Sequence, residues 1–378
     1  MTIHLTEEQQ MIRDMVRDLA IKEFAAKAEQ IDREEIFPWD NIRLMAEQGL
    51  LGINIPEKYG GAGSDTISHV LAIEEVARVC GSTSVVLTTQ ALVLAPFMLA
   101  ASEEQKNKYA RPMAKGHVLG SFGLTEPGAG SDAGSIRTKA VKDGNDYIIN
   151  GSKCFITNAG ESEIYVIVAK TDPKAGHRGI SLFIVEKGTP GLQFGKKEEK
   201  MGIRGSVTRE VILEDCRVPA ANMLGAENQG FKIVMETLDH TRAGVGAQAV
   251  GIAQGALDIA IKYAKERIQF GKPISSFQAV QMMLADMATK VKAARLLVVE
   301  AARALDVGAD VTQISAMVKL FASDTAMEVT TDAVQVLGGY GYMREYAVER
   351  MMRDAKITQI YEGTNHIQRL VIAGSLLK

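Results

Sequence analysis

The period of the apolar residues changes twice along this chain, and those two changes leave few folds open to it. Up to about residue 120, apolar positions recur at helical spacing. From there to about 225 they fall in short β-rich runs between turns. Beyond Asn228-Gln229-Gly230 the helical spacing returns and holds to the end. The order is all-α, then β, then all-α, without the βαβ alternation that a Rossmann fold requires. The expected units are 1–120, 121–227 and 228–378.

In the first unit, Thr6 and Gln9 have the spacing of a capping box, and Met11, Met15, Val16 and Leu19 follow as a helical stripe. Further helices are predicted over 38–50, 65–80 and 84–100, with a glycine-rich break at Gly60-Gly61-Ala62-Gly63. In the second unit, Tyr147–Ile149, Ile164–Val168, Ile180–Val185 and Val211–Leu213 read as strands. Asp143-Gly144-Asn145, Asn150-Gly151 and Pro190-Gly191 read as the turns between them, which suits an antiparallel sheet or small barrel. In the third, long helices are predicted over 231–266, 277–305 and 311–337, ended by Gly308 and Gly338, with shorter ones near 345–355 and from 364. Short links between long helices imply an antiparallel bundle.

Composition narrows the function. Lys and Arg total 43 against 46 Asp and Glu among 378 residues, a net charge of -3. Nucleic-acid binding through phosphates usually needs a basic excess, so no nucleic-acid partner is expected. Cys80, Cys154 and Cys216 form no CxxC pair, and a reducing, cytoplasmic setting is expected. The start, Met1-Thr-Ile-His-Leu-Thr-Glu-Glu, lacks the pattern of a signal peptide. The stretch between Arg78 and Glu103 carries no charge and is long enough to span a bilayer. Its serines, threonines, Gln90 and Pro96 are too polar for lipid, so a buried, partly cavity-lining segment is expected and no membrane partner.

Four segments could carry chemistry. Phe122-Gly-Leu124-Thr125-Glu126-Pro-Gly-Ala-Gly130-Ser131-Asp132 combines glycines that admit close backbone approach with hydroxyls. A strand-like run follows it, so it is no dinucleotide fingerprint, and a plain glycine-rich turn explains it equally well. Lys153-Cys-Phe155-Ile156-Thr157 offers either a core ring or a ring facing a flat cofactor. Gln335-Val336-Leu337-Gly338-Gly339-Tyr340-Gly341 holds more glycines than a helix cap needs. In Tyr361-Glu362-Gly363-Thr364, Glu362 is either a pre-cap acid favoured by the helix dipole or, if desolvated, a general base. Arg242, after Asp239-His240-Thr241, reads by default as a solvated helix face. The six histidines show no HxxxH pair or Cys/His cluster, so no metal is expected, and neither a GxSxG nor a P-loop occurs.

Taken in order, these segments resemble the acyl-CoA dehydrogenase family over nearly the whole chain. Gly123–Asp132 looks like one family signature; Gln335–Gly341, continuing through Arg350 to Asp354, looks like the other, with IYEGT beyond. The nearest-looking branch is the short-chain, butyryl-CoA type. The resemblance implies a mixed, mainly α fold: an N-terminal helical domain, a middle antiparallel β-barrel-like domain and a C-terminal four-helix bundle. It implies FAD, a homotetramer built as a dimer of dimers, an acyl-CoA substrate and electron transfer flavoprotein as partner.

Carried over by residue, Phe122, Leu124, Thr125, Gly130 and Ser131 would line the flavin, and Phe155, Ile156 and Thr157 would meet its rings. Many relatives have Trp where this chain has Phe155. Arg267, Phe270 and Gln278 would bind the diphosphate or adenosine part. Gln335, Val336, Leu337, Gly338 and Gly339 would reach a flavin across the dimer interface, and Thr364, Asn365 and His366 would lie near the diphosphate. Ser131, Asp239, His240, Thr241, Arg242, Tyr361 and Gly363 would touch the acyl-CoA. Glu362 would take the α-proton while hydride passes to flavin N5, giving a trans-2-enoyl-CoA. Some relatives place their base at the position of Thr241, whose hydroxyl cannot serve. Weighed against this reading are a dehydrogenase of branched or alicyclic acyl-CoA such as cyclohexanecarboxyl-CoA, an acyl-CoA oxidase, and a flavin-binding protein without turnover.

Overall fold

The computed structural model describes residues 4–377; Met1, Thr2 and Ile3, part of the N-terminal segment read above, lie outside them. Helices come first: α1 (Glu7–Leu19), α2 (Ala28–Glu34), α3 (Trp39–Glu47), α4 (Thr66–Ala77), α5 (Gly81–Ala100) and the short α6 (Glu103–Gln105) and α7 (Arg111–Ala114). The Thr6–Gln9 capping box opens α1. The expected stripe is narrower than predicted. Val16 is buried, whereas Met11 and Met15 stay exposed, because α1 rests on α4 along one edge. The uncharged stretch forms α5, one helix that begins three residues before the predicted start. Both α5 and the later helix Gly230–Glu266 are long and apolar enough to cross a membrane, but they lie mostly buried inside this fold.

The strands are β1 (Gly120–Gly123), β2 (Lys139–Asp143), β3 (Asp146–Thr157), β4 (Ile164–Lys170), β5 (Ile180–Glu186), β6 (Leu192–Lys197), β7 (Thr208–Pro219) and β8 (Met223–Leu224). They form one sheet in the order β6-β7-β3-β2-β4-β5-β8, with β1 added on β4. Most pairs are antiparallel, but β1 runs parallel to β4, and β2 meets β4 in parallel at Lys139 and Lys170. The sheet is therefore mixed, a feature that turn chemistry between neighbouring strands does not encode. Asn150-Gly151, predicted as a turn, is a bulge within β3.

The last region holds α8 (Gly230–Glu266), the small hairpin β9 (Ile268–Gln269) and β10 (Lys272–Pro273), α9 (Gln278–Asp306), α10 (Thr312–Leu337), α11 (Ala347–Thr358) and α12 (Asn365–Leu376). Helix α8 is the spine, packing on α4, α5, α9, α10 and α11. It can lie this close because Gly251 and Gly255 face backbone: a Cβ there would come within 2.3 Å of the Glu74 carbonyl and 2.1 Å of the Arg78 carbonyl. Asp354 on α11 joins the three regions. It is buried against Gly81 and accepts the Ile203 N–H at 2.5 Å, and burial pushes its carboxyl up to about 6.

Candidate active site

Glu362 sits on the link between α11 and α12. Its backbone is left-handed (φ 51°) and Gly363 follows at φ 91°. A non-glycine residue in that region costs about 1–2 kcal/mol, so something must hold it. Gln368 donates to the carbonyls of Glu362 at 3.1 Å and Gly363 at 2.9 Å. Lys319, fully buried on α10, donates to the Gly363 carbonyl at 2.8 Å and to Asn365 Oδ1 at 2.9 Å. Thr364 caps α12 by accepting from Ile367 N. Tyr361 donates to Gln248, whose amide reaches Ser84 Oγ at 3.0 Å.

The Glu362 carboxylate does not serve the helix N-terminus behind it. Oε2 accepts from the Thr241 hydroxyl at 2.9 Å. Burial raises its pKa above the ordinary range, opposed by the Thr241 hydrogen bond and the charges of Arg242 and Lys319. Lys319 is itself brought down to about 7 by desolvation. Arg242 is only 4% exposed, not a solvated face, and is paired with Asp239 Oδ1 at 2.5 Å. Asp239 also accepts from Thr312 at 2.8 Å; His240 is exposed. A desolvated carboxylate poised this way can take a proton from a weak carbon acid near neutral pH. Next to it, a cavity of about 240 Å³ opens between α4, α5 and α8, lined among others by His69, Thr88, Ala91, Met98, Thr241 and Gly244.

A second group gathers where β1 runs into the glycine-rich segment beside β3. Cys154 N donates to the Thr125 carbonyl at 2.9 Å, and Lys153 to the Leu124 carbonyl at 3.1 Å. Lys153, fully buried, also pairs with Glu126 at 2.7 Å, and Glu126 accepts from Arg137 N and Thr138 N. Desolvation lowers Lys153 to about 8. Phe155 is no core residue: its ring is 68% exposed on a left-handed backbone (φ 59°). Ile156 turns into the sheet core and Phe122 is also buried, whereas Gly130 and Ser131 are exposed. Thr157 is half-buried and gives its carbonyl to Ser121 Oγ.

A third group surrounds a pocket of about 520 Å³ between the end of α8, the β9–β10 hairpin and the end of α10. Arg267, Val336, Leu337, Gly338, Gly339 and Tyr340 line it. The Arg267 guanidinium lies 5.2 Å from the Tyr340 ring centre, and a Cβ on Gly338 or Gly339 would meet nothing within 4 Å. Phe270, 92% exposed at φ 52°, projects from the hairpin nearby in sequence, and Gln278 and Gln335 are also exposed. None of the β1–β3 residues lines this pocket. Of 364–366, His366 is exposed, while the Asn365 side chain is engaged with Lys319, Ser323 and Asp324.

Sequence reasoning missed Lys319, Gln248 and the Lys153–Glu126 pair. One signal was available: Lys319 is the one charged residue between Ser315 and Ser323, a helical turn away on either side, in a segment otherwise rich in Ala and Val. The pairing of Gln248 with Tyr361 spans 113 residues and left no local trace.

Family comparisons cover the three regions: the acyl-CoA dehydrogenase N-terminal domain matches residues 6–117, the middle domain 121–216 and the C-terminal domain 228–377. The chain is 52% identical to acryloyl-CoA reductase (NADH) of Anaerotignum propionicum, over 100% of its own length and 96% of that protein. The structure of butyryl-CoA dehydrogenase from Megasphaera elsdenii superposes with a TM-score of 0.98 at 47% identity, covering 100% of both chains. A chain in a structure of the electron transferring flavoprotein of Acidaminococcus fermentans does so at 0.98 and 54%, again covering 100% of both.

Proposed function

The chain belongs to the acyl-CoA dehydrogenase family, and from that premise we propose that it removes hydrogen across the α,β bond of short-chain acyl-CoA thioesters, with Glu362 as base and FAD as cofactor. The observation that carries this reading is the desolvated Glu362 carboxylate, held by Thr241 at 2.9 Å beside a cavity of about 240 Å³. An engineered cavity of about 150 Å³ accepts benzene, so this one suits an acyl group of a few carbons.

The residues fit a large, flat cofactor with a diphosphate. Phe155 offers an uncovered ring, Arg267 offers fixed donors to phosphate, and Gly338 and Gly339 leave open space beside it. Because Arg267 and Val336–Gly339 line one pocket, they would hold the same molecule. The absence of the β1–β3 residues from that pocket supports a cofactor shared between two copies of the chain. Asn365, its side chain engaged inward, would contribute through backbone. When bound, FAD would supply the acceptor for hydrogen leaving the β-carbon.

The chain's own residues do the rest. Glu362 would accept the α-proton at a carboxylate oxygen, and Thr241 would keep that oxygen aimed. Among the described residues the Glu362 N–H donates to no acceptor, and it would be available to the thioester oxygen as negative charge develops. Arg242 and Lys319 would favour the ionised base before substrate arrives. A homotetramer in the cytoplasm, passing electrons to electron transfer flavoprotein, completes the proposal; the A. fermentans match supports that partner, and exposed Met282, Leu370 and Leu376 give a tetramer apolar surface to cover. The A. propionicum relative supports a second reading, in which the same site runs toward reduction and protonated Glu362 returns the α-proton.

Anaerobic titration with straight, branched and cyclic acyl-CoA esters tests the proposal. Bleaching of the yellow enzyme by butyryl-CoA is expected; no bleaching by any ester would overturn it. Oxygen uptake during turnover would mark an oxidase instead.

A further inference from the structure

The cavity beside Glu362 carries polar groups that an aliphatic chain would not use. His69 on α4 is only 8% exposed, and neither ring nitrogen has a hydrogen-bond partner among the described residues. Nδ1 is sealed in the packing, and Nε2 is not among the sealed atoms of this residue, which lines the cavity. Burial brings its pKa down to about 4, so the ring is neutral at physiological pH. A sealed N–H without a partner is a costlier orphan than a sealed lone pair, which assigns the proton to Nε2. Thr88, on the same lining, spends its own proton on the Val85 carbonyl at 3.0 Å, leaving an oxygen that can only accept. The lining contains no Lys, Arg, Asp or Glu. A carboxylate there would be buried without a counter-charge, while a hydroxyl could accept from His69 and donate to Thr88.

We infer that this cavity takes short acyl chains bearing a neutral hydroxyl, and that His69 is the residue that selects for it. The inference rests on the dehydrogenase reading above. The α- and β-carbons are consumed by the chemistry at Glu362, so the first carbon free to carry the oxygen is the γ-carbon.

The test compares chains of equal heavy-atom count on the FAD-loaded enzyme: freshly prepared γ-hydroxybutyryl-CoA against pentanoyl-CoA, with butyryl-CoA as the reference. The wild type is expected to favour the hydroxylated chain at least tenfold in kcat/KM, the scale of an unpaired buried polar group. His69→Leu is expected to erase or invert that ratio, and His69→Gln, which keeps an N–H donor, to retain most of it; FAD content and melting temperature check that both variants fold. A wild-type ratio of one or below overturns the inference without any variant, and so does an unchanged ratio in His69→Leu. Bleaching by butyryl-CoA alongside such a result leaves the dehydrogenase reading standing. Failure of every ester, butyryl-CoA included, removes both.

Discussion

The Thr241 hydroxyl lies 2.9 Å from Glu362 Oε2 and 3.1 Å from the Thr237 carbonyl, with the Leu238 carbonyl farther off at 3.5 Å, so one proton has competing acceptors. With Glu362 ionised, the proton turns to the carboxylate. With Glu362 protonated, Thr241 can turn to Thr237 and accept from the acid. Both states of the base are thus supported, but the ionised one gains more. Thr241→Val removes a hydrogen bond that lowers the Glu362 pKa. The acidic limb of kcat/KM against pH is therefore expected to move to higher pH, and a limb that stays or moves lower contradicts the assignment.

Glu362→Gln keeps the shape of the loop and removes the base. FAD content and acyl-CoA binding should stay close to wild type, while the rate of flavin bleaching falls by roughly 10²–10⁴. Stopped-flow absorbance reads this directly, and a rate within a few-fold of wild type would dismiss Glu362.

Lys319→Met removes both the strut under Gly363 and a cation that favours ionised Glu362. Turnover is expected to fall about tenfold or more, and the acidic limb to move to higher pH. A loss of rate with an unmoved pH profile would leave Lys319 a purely structural support.

Arg267→Ala takes the charged donors from the 520 Å³ pocket and uncovers the Tyr340 ring. A hydrogen bond to a charged group is worth about 1.5–3 kcal/mol, so FAD affinity should drop roughly ten- to a hundredfold. Cofactor content after gel filtration measures it, and fully yellow protein would count against the role.

Asp354 is held at about 6 against an ordinary 3.8, so the fold favours its protonated form. The stabilisation is complete below the ordinary value and is lost as pH rises through about 6; above that the buried charge costs roughly 3 kcal/mol. Asp354→Asn keeps an acceptor for the Ile203 N–H without the charge. Its gain in Tm over wild type should be larger near pH 8 than near pH 5, as calorimetry at the two values would read; the opposite order rejects the explanation.

Much of this was legible in the chain. The α–β–α order follows from period alone, because a helix and a strand bury different spacings. Glu362 could be singled out because an acid among Ile360, Tyr361 and Gly363 has no obvious solvated face. What escaped was set by contacts distant in sequence. The parallel β1–β4 pair, Gln248 under Tyr361, and Arg242 turned inward toward Asp239 depend on where α8 lies, and helix position is fixed by packing rather than by propensity. Phe155 stays open between a core and an outward ring for a local reason: its direction comes from its own left-handed backbone in β3, which strand alternation does not predict.

Helix α5 holds Thr88 and Ala91 against the cavity proposed for the acyl group, while near its start Ser84 grips the Gln248 that grips Tyr361. On the proposed reading, the gauge that would measure the substrate and the arm that would carry the base are therefore one mechanical body. A chain that fits the gauge poorly would be felt not as weaker attachment alone but as a misaimed proton acceptor, so discrimination among substrates should register in the speed of the first chemical event as well as in the tightness of the grip.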